Sequence, residues 1–234
     1  MEIIVPASIT GMRAGEIVGS EIQGSEGWHE ARLGRFTGSK LKELVSLTSD
    51  KPKTTADKYI YEKMAEIITG EAETIPDNIY MQRGREMEPM AMAWLEDFLE
   101  IRLVETGALV MPWSYRVAVS PDRITVLDNG DKVVVESKSP KSTTHLKWAT
   151  TGKCPSEHKI QIQAEIMVTG ADYAYFLSYD DRCVGQEAFL IKVMPDKKLQ
   201  DRIRKVCEES LEKLDLLLAN SKKHCIDISE IYFD

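Results

Sequence analysis

Ser120-Pro121-Asp122-Arg123-Ile124-Thr125-Val126-Leu127-Asp128-Asn129-Gly130-Asp131-Lys132-Val133-Val134-Val135-Glu136-Ser137-Lys138 is the stretch on which the fold turns. Two β-branched runs flank Asn129-Gly130. That pair readily takes the positive φ that a two-residue type I′ hairpin turn demands at both central positions. Folding the chain about it puts Glu136 opposite position 123, so Asp122 and Glu136 meet at the open end of the hairpin, within a residue of register. Side chains alternate along a strand, which places Glu136 and Lys138 on one face. The three valines before them mark a strand buried on both faces. Charges emerging from such a strand are held rigidly, whereas charges at ordinary strand ends are merely solvated. Both readings stand at this point.

Asp122 and Glu136 offer hard oxygen ligands with no thiolate or imidazole alongside, a donor set that selects Mg²⁺ or Mn²⁺ over zinc. Such an ion acidifies a bound water and neutralises charge on a phosphodiester. Lys138, on the same face, can orient or deprotonate that water and stabilise the pentacovalent transition state. The Ser137 main-chain carbonyl can complete the shell. Glu88, if it reaches the site, makes a second ion plausible; otherwise it forms an i,i+3 pair with Arg85.

The rest of the chain frames this site. Its 234 residues are 43% hydrophobic and 29% charged, which suits one globular unit. No apolar run is long enough to span a bilayer, and the first residues lack the basic-then-apolar pattern of a secretory leader, so the expected location is the cytoplasm. Cys154, Cys183, Cys207 and Cys225 are too scattered for a zinc site or a disulfide framework. A formal net charge of −8 weighs against a nucleic-acid partner as a whole-chain sum, yet it permits a local basic groove.

Residues 1–24 read as an arm or loop, residues 25–221 as one domain, and residues 222–234 as a tail. Ser25 caps a short helix bearing Trp28, His29 and Arg32. Thr37-Gly38-Ser39 precedes a helical run over Leu41–Leu47, where the hydroxyls serve as caps or, with Arg32, as an anion site. Helices are expected over 54–70 and over 80–99, the latter burying Met87, Met90, Ala91, Trp94, Leu95 and Phe98 despite Pro89. Strands cover 103–110 and 115–120. A loop with Lys141 and other phosphate donors leads into a short helix, where His145 lacks companions for metal binding. A helix opened by Pro155 runs through Met167 and carries Gln161, Gln163 and Glu165. Strands over 173–179 and 188–194 follow, then an amphipathic helix from Lys197 to Ser221. The expected class is α+β, a mixed sheet flanked by helices. Neither a Gly-rich phosphate loop nor a hydrolase triad signature is present.

Ser120-Pro121-Asp122 followed by Glu136-Ser137-Lys138 resembles the PD-(D/E)xK nuclease signature. With Trp28-His29, Arg32-Leu33-Gly34, Thr37-Gly38-Ser39, Gly84-Arg85-Glu86-Met87-Glu88, Gln161-Ile162-Gln163 and Val168-Thr169-Gly170, the chain resembles the phage lambda exonuclease and YqaJ-type viral recombinase family over roughly residues 26–218. The resemblance implies a restriction-endonuclease-like core and Mg²⁺-dependent 5′→3′ digestion of one strand of linear duplex DNA, leaving 3′ tails for recombination. It implies Asp122, Glu136 and Glu88 around one or two ions, Lys138 as the catalytic lysine and Gln163 beside the site. It implies Arg32, Ser39 and Ser120 at the 5′ phosphate. A single-strand annealing protein as partner, a ring-shaped trimer and the cytoplasm of a bacterial host also follow from it. Where the family places a basic residue after the catalytic lysine this chain has Thr144, leaving Lys141, His145 or Lys147 to take its part. The alternatives are an endonuclease on the same core, a non-catalytic DNA-end-binding protein, and a structural acidic domain with solvated carboxylates.

Overall fold

A computed structural model of the chain describes residues 17–18, 24–72 and 78–221. The arm over 1–24 and the tail over 222–234 therefore lie outside the described residues, apart from Ile17, Val18 and Gly24. Among the described residues the strands are β1 (Ile17–Val18), β2 (Phe36–Thr37), β3 (Ala108–Met111), β4 (Ser114–Val119), β5 (Arg123–Val126), β6 (Lys132–Lys138), β7 (Tyr173–Tyr179) and β8 (Ala188–Val193). The α-helices among them are α1 (Glu26–Glu30), α2 (Ala56–Thr69), α3 (Ile79–Leu99), α4 (Ser142–Thr151), α5 (Ser156–Thr169) and α6 (Lys197–Ser221). Among the described residues no helix is long and apolar enough to cross a membrane.

The expected single mixed sheet divides in two. One runs β1-β3-β4-β2 and the other β5-β6-β7-β8, each with one parallel pair, β2 with β4 and β6 with β7. The chain passes from one sheet to the other between Val119 and Arg123, so Ser120 and Asp122 lie at the seam, and Val104 adds an isolated bridge to Ile124 of β5. In the second sheet β6 is central, and Val133, Val134 and Val135 are wholly buried. Val135 packs with Ala91, Met92 and Leu95 of α3, while Val134 packs with Trp148, Ile162 and Phe176 on the other face. That two-sided cover is why the strand reads as an unbroken apolar run.

The hairpin turn differs from the expected one. Arg123 pairs with Val135 and Val126 with Lys132, one residue out of the register that a two-residue turn gives. The Gly130 N–H donates to the Leu127 carbonyl at 2.8 Å, and Leu127 N–H donates to the Asp131 carbonyl at 2.9 Å. Gly130 alone takes a positive φ, +89°. This is a three-residue loop, a type I turn followed by a left-handed glycine. Asn129 also bonds both ways with Asp131, its Oδ1 accepting the Asp131 N–H and its Nδ2 donating to Oδ2. The shift moves Asp122 directly opposite Glu136 rather than one position away.

Helix ends follow their capping chemistry: Asn78 Oδ1 accepts from the N–H groups of Tyr80 and Met81, and Gly70, Gly152 and Gly170 close α2, α4 and α5 in the left-handed conformation. Two expectations need correction. The run over 41–47 is not an α-helix but a six-residue 3₁₀ turn, Gly38–Glu43. On α3, Met90 and Phe98 are exposed, Phe98 stacking on Trp94, and Met92 takes the buried place.

α5 binds the two halves. Ile160 and Ala164 join α2, α6 and the first sheet in the largest cluster, while Ile162 and Ile166 belong to the cluster of the second sheet. A helix wrapped on every side must accommodate its polar residues by pairing them.

Candidate active site

The end of β6 delivers three groups to one place. Glu136 is fully buried, and its Oε1 accepts from Lys138 Nζ, two residues along on the same face, and from Gln161 Nε2 of α5 at 2.6 Å. Lys138 Nζ also donates to the Ser137 carbonyl at 3.1 Å, which puts that carbonyl beside the ammonium. Asp122, at the sheet seam, accepts the Ser137 N–H on Oδ2 at 2.7 Å. Thr106 fixes the seam by donating to the Pro121 carbonyl at 2.9 Å.

The electrostatics are those of a site short of positive charge. Burial, then the Asp122 charge, pushes the Glu136 carboxyl up to about 7 despite Lys138. Burial, then Glu136, raises Glu165 well above the usual carboxylate range. Burial works against the Lys138 charge, yet Glu136 and then Asp122 outweigh it and hold the ammonium above an ordinary lysine. Lys138 is thus held as a donor to Glu136 and the Ser137 carbonyl.

Glu136 Oε2 is buried and has no partner among the described residues. An orphaned carboxylate oxygen beside a second carboxylate and a main-chain carbonyl fits a hard divalent cation, whose attraction would offset both the desolvation and the repulsion. Among the described residues no three His, Cys, Asp or Glu side chains form a ready-made metal cluster. Two carboxylates and a carbonyl leave room for water, as Mg²⁺ prefers.

The glutamine assignment is corrected. Gln163 points away from the site: its Nε2 donates to the Met194 carbonyl at 2.8 Å, and its Oε1 accepts from Asp196 N–H and Gln200 Nε2. Gln161 is the residue that reaches Glu136, and it donates as well to Glu165 Oε1 at 2.9 Å. Glu165 is the residue that sequence reasoning missed. Its signal was the i,i+4 spacing from Gln161, which puts both on one helix face.

Glu88 pairs with Arg123 of β5. Its Oε1 accepts from Arg123 Nη1 at 3.1 Å. Burial, then Asp122, raises its pKa, and Arg123 opposes them.

A cationic station adjoins the seam. Trp28 Nε1 donates to Ser120 Oγ at 3.0 Å, and the Arg32 guanidinium lies 4.1 Å from the centre of the Trp28 ring. Burial lowers the Arg32 pKa, opposed by Tyr59, Glu66 and Glu136, and the group stays a cation. Phe36 and Thr37 pair in parallel with Val117 and Ala118, and Ser39 follows in the 3₁₀ turn as Ser120 follows β4. Ser39 is exposed. Thr37 is not available for phosphate: it is buried, its hydroxyl lies 3.3 Å from that of Tyr59, and its N–H donates to the same oxygen. Lys141 precedes α4 and sits 4.3 Å from the Tyr80 ring centre. His145 is wholly internal, bonded to Ser178 Oγ and the Gln186 carbonyl.

The family model of the YqaJ-like viral recombinase domain matches residues 27–172, more than half of the chain and all of this site. The chain belongs to that family. Among solved structures, the alkaline exonuclease LHK-Exo from Laribacter hongkongensis is 28% identical, with a TM-score of 0.77, covering 85% of this chain and 97% of that one. The same exonuclease in complex with dAMP is 29% identical, with the same TM-score and coverage. A phage related exonuclease from Haemophilus somnus 129PT shares the fold at 15% identity and a TM-score of 0.62, over 80% of this chain and 96% of that one. No curated protein matches. The fold is the restriction-endonuclease-like α+β type of these exonucleases.

Proposed function

We propose that this recombinase-family chain is a Mg²⁺-dependent exonuclease that digests one strand of linear duplex DNA from its 5′ end and leaves 3′ single-stranded tails. The observation that carries it is the buried Glu136 Oε2, unpartnered among the described residues, in a carboxyl that feels the Asp122 charge and is bonded by Lys138. Likeness to an alkaline exonuclease supports the reaction class.

Asp122, Glu136 and the Ser137 carbonyl would hold the ion, with Mn²⁺ able to substitute. When bound, it supplies a water of lowered pKa and charge neutralisation at the phosphate. Lys138 donates to the attacking oxygen or to a phosphate oxygen and stabilises charge as it develops. Gln161 fixes the Glu136 carboxylate. Arg32, Ser39 and Ser120 receive the 5′ phosphate, with Trp28 holding both Arg32 and Ser120 in place; Lys141 contacts the backbone further along. A single-strand annealing protein as partner, a ring of copies around the DNA and the bacterial cytoplasm as setting complete the reading.

The test is release of acid-soluble nucleotides from 5′-phosphorylated linear duplex in Mg²⁺, with closed circular duplex as control. Wild type should degrade the linear form only, and Lys138→Ala should lose activity by several orders of magnitude. Cutting of the circle would make this an endonuclease on the same core. End binding without digestion would leave only a binding role.

A further inference from the structure

Two residues of α2 stand behind the Arg32 station, and the nuclease reading does not use them. Lys63 Nζ donates to both oxygens of Glu66, at 2.7 and 2.9 Å. Their side chains are 9% and 12% exposed. Glu66 Oε2 also accepts the Gly34 N–H at 2.8 Å, and the Arg35 N–H donates to the Arg32 carbonyl at 3.2 Å, so α2 fixes the turn that carries Arg32. Tyr59, earlier on α2, accepts the Thr37 N–H at 2.9 Å and fixes the chain just before Ser39. The Lys63 and Lys40 ammonium groups lie 5.4 and 5.7 Å from the centre of the Tyr59 ring, and the Arg32 charge is felt by both Tyr59 and Glu66.

The three cations are not equivalent. Lys40 is engaged by Glu62 at 3.3 Å, and Lys63 by Glu66. Among the described residues the Arg32 guanidinium has no carboxylate partner and rests on the Trp28 ring. Burial, then Arg32 and Lys40, lowers the Lys63 pKa against the pull of Glu66. A carboxylate as buried as Glu66 needs a cation beside it. Without Lys63, the cation lacking a carboxylate of its own is Arg32. A guanidinium whose planar fork closes on a carboxylate is lost to a phosphate.

We propose that the Lys63–Glu66 pair keeps the 5′-phosphate station open: Lys63 occupies Glu66, so that the carboxylate fixes the Gly34 turn without quenching Arg32. The proposal rests on the nuclease reading, in which Arg32 receives the 5′ phosphate. Both residues are positioning residues, since the pair is turned inward and Lys63 spends its charge on Glu66. What they set is the preference for phosphorylated over hydroxyl 5′ ends.

The test measures kcat/KM of the full chain on linear duplex with 5′-phosphate and with 5′-hydroxyl ends, alongside binding of both ends in EDTA by fluorescence anisotropy. Wild type should prefer the phosphate by about 10–100-fold, the worth of a hydrogen bond to a charged group. Lys63→Met should lose most of that preference in both readouts, because Glu66 turns to Arg32. The Lys63→Met, Glu66→Gln double variant should restore it, since glutamine still accepts from Gly34 and leaves Arg32 alone. Lys63→Arg should keep it. A Lys63→Met variant that slows on both ends equally and keeps the wild-type preference overturns the proposal, for the pair is then a stability element only. A double variant as indifferent to the phosphate as Lys63→Met also overturns it. If Lys63→Met fails to fold, Glu66→Gln decides: a folded variant that has lost the preference shows that the Glu66 charge itself is needed and refutes the shielding role. Wild type that digests both ends equally removes the phosphate station and the proposal with it. Wild type that digests neither removes the nuclease reading itself, which separates the two failures.

Discussion

Gln161→Ala decides which glutamine of α5 serves the site. The Gln161 amide donates to Glu136 at 2.6 Å and to Glu165 at 2.9 Å, and both acceptors are fully buried. A hydrogen bond to a charged group is worth about 1.5–3 kcal/mol. Removing it leaves Glu136 with Lys138 as its remaining donor and lets the carboxylate swing. Loss of a group that orients a metal-binding carboxylate lowers metal affinity by about 10–100-fold. Because the lost donor favoured the ionised form, protons also compete better with the metal, so the deficit should be larger at pH 6 than at pH 8. Gln163→Ala is the control. It loses the bonds to Met194, Asp196 and Gln200 and should cost about 1–3 kcal/mol of stability with metal affinity unchanged. Mn²⁺ titration by calorimetry, with urea unfolding in parallel, reads both quantities. Tenfold weaker binding in Gln163→Ala with unchanged binding in Gln161→Ala would refute the assignment.

Without metal, stability should fall as pH rises from about 4.5 to about 7, since burial and then Asp122 lift Glu136 to about 7 and the folded state holds a proton that the unfolded chain releases. Melts in EDTA should lose several degrees between pH 5 and pH 8, and Mg²⁺ should restore them; a flat profile in EDTA contradicts this. Glu66 accepts from Lys63 at 2.7 and 2.9 Å and from the Gly34 N–H at 2.8 Å, so Glu66→Ala strands a buried lysine and should cost about 3–5 kcal/mol in urea unfolding. A loss below about 1 kcal/mol would show that the pair carries no such weight. Asp180 is fully buried, held well below the usual carboxylate range chiefly by Arg182, and also bonds Arg83 of α3. Asp180→Ala should cost about 3 kcal/mol and loosen the start of α3, visible as faster amide exchange there.

Much of the fold was legible because its signals are local. Three valines before Glu136 report a strand covered on both faces, and the covering helices lie where that requires. Glycines at the ends of α2, α4 and α5 mark their stops through the left-handed conformation they adopt. The hairpin was legible in kind but not in register. Asn-Gly serves a two-residue turn and a three-residue loop equally well, and the reciprocal bonds between Asn129 and Asp131 favour the longer loop. The division into two sheets was not legible, since it depends on where the chain crosses between them, and Ser120-Pro121-Asp122 reads as a turn in either case.

The site residues that were misread share one physical cause. Asp122, Glu136, Ser137 and Lys138 are placed by their own hairpin, so their spacing in sequence is their spacing in space. Gln161 and Gln163 are both polar residues on a buried helix, about 200° apart around its axis, and only one can face Glu136. Which one does depends on what covers the opposite side, and that is the Met194–Gln200 connection, some thirty residues downstream. Thr37 is taken by Tyr59 of α2 in the same way. In each case a second partner, remote in sequence, competes for a side chain whose local context suits it to catalysis. The competition runs in both directions, for it is also what holds Arg123, unremarked in the strand pattern, among Glu88, Glu105 and the Asp122 carbonyl.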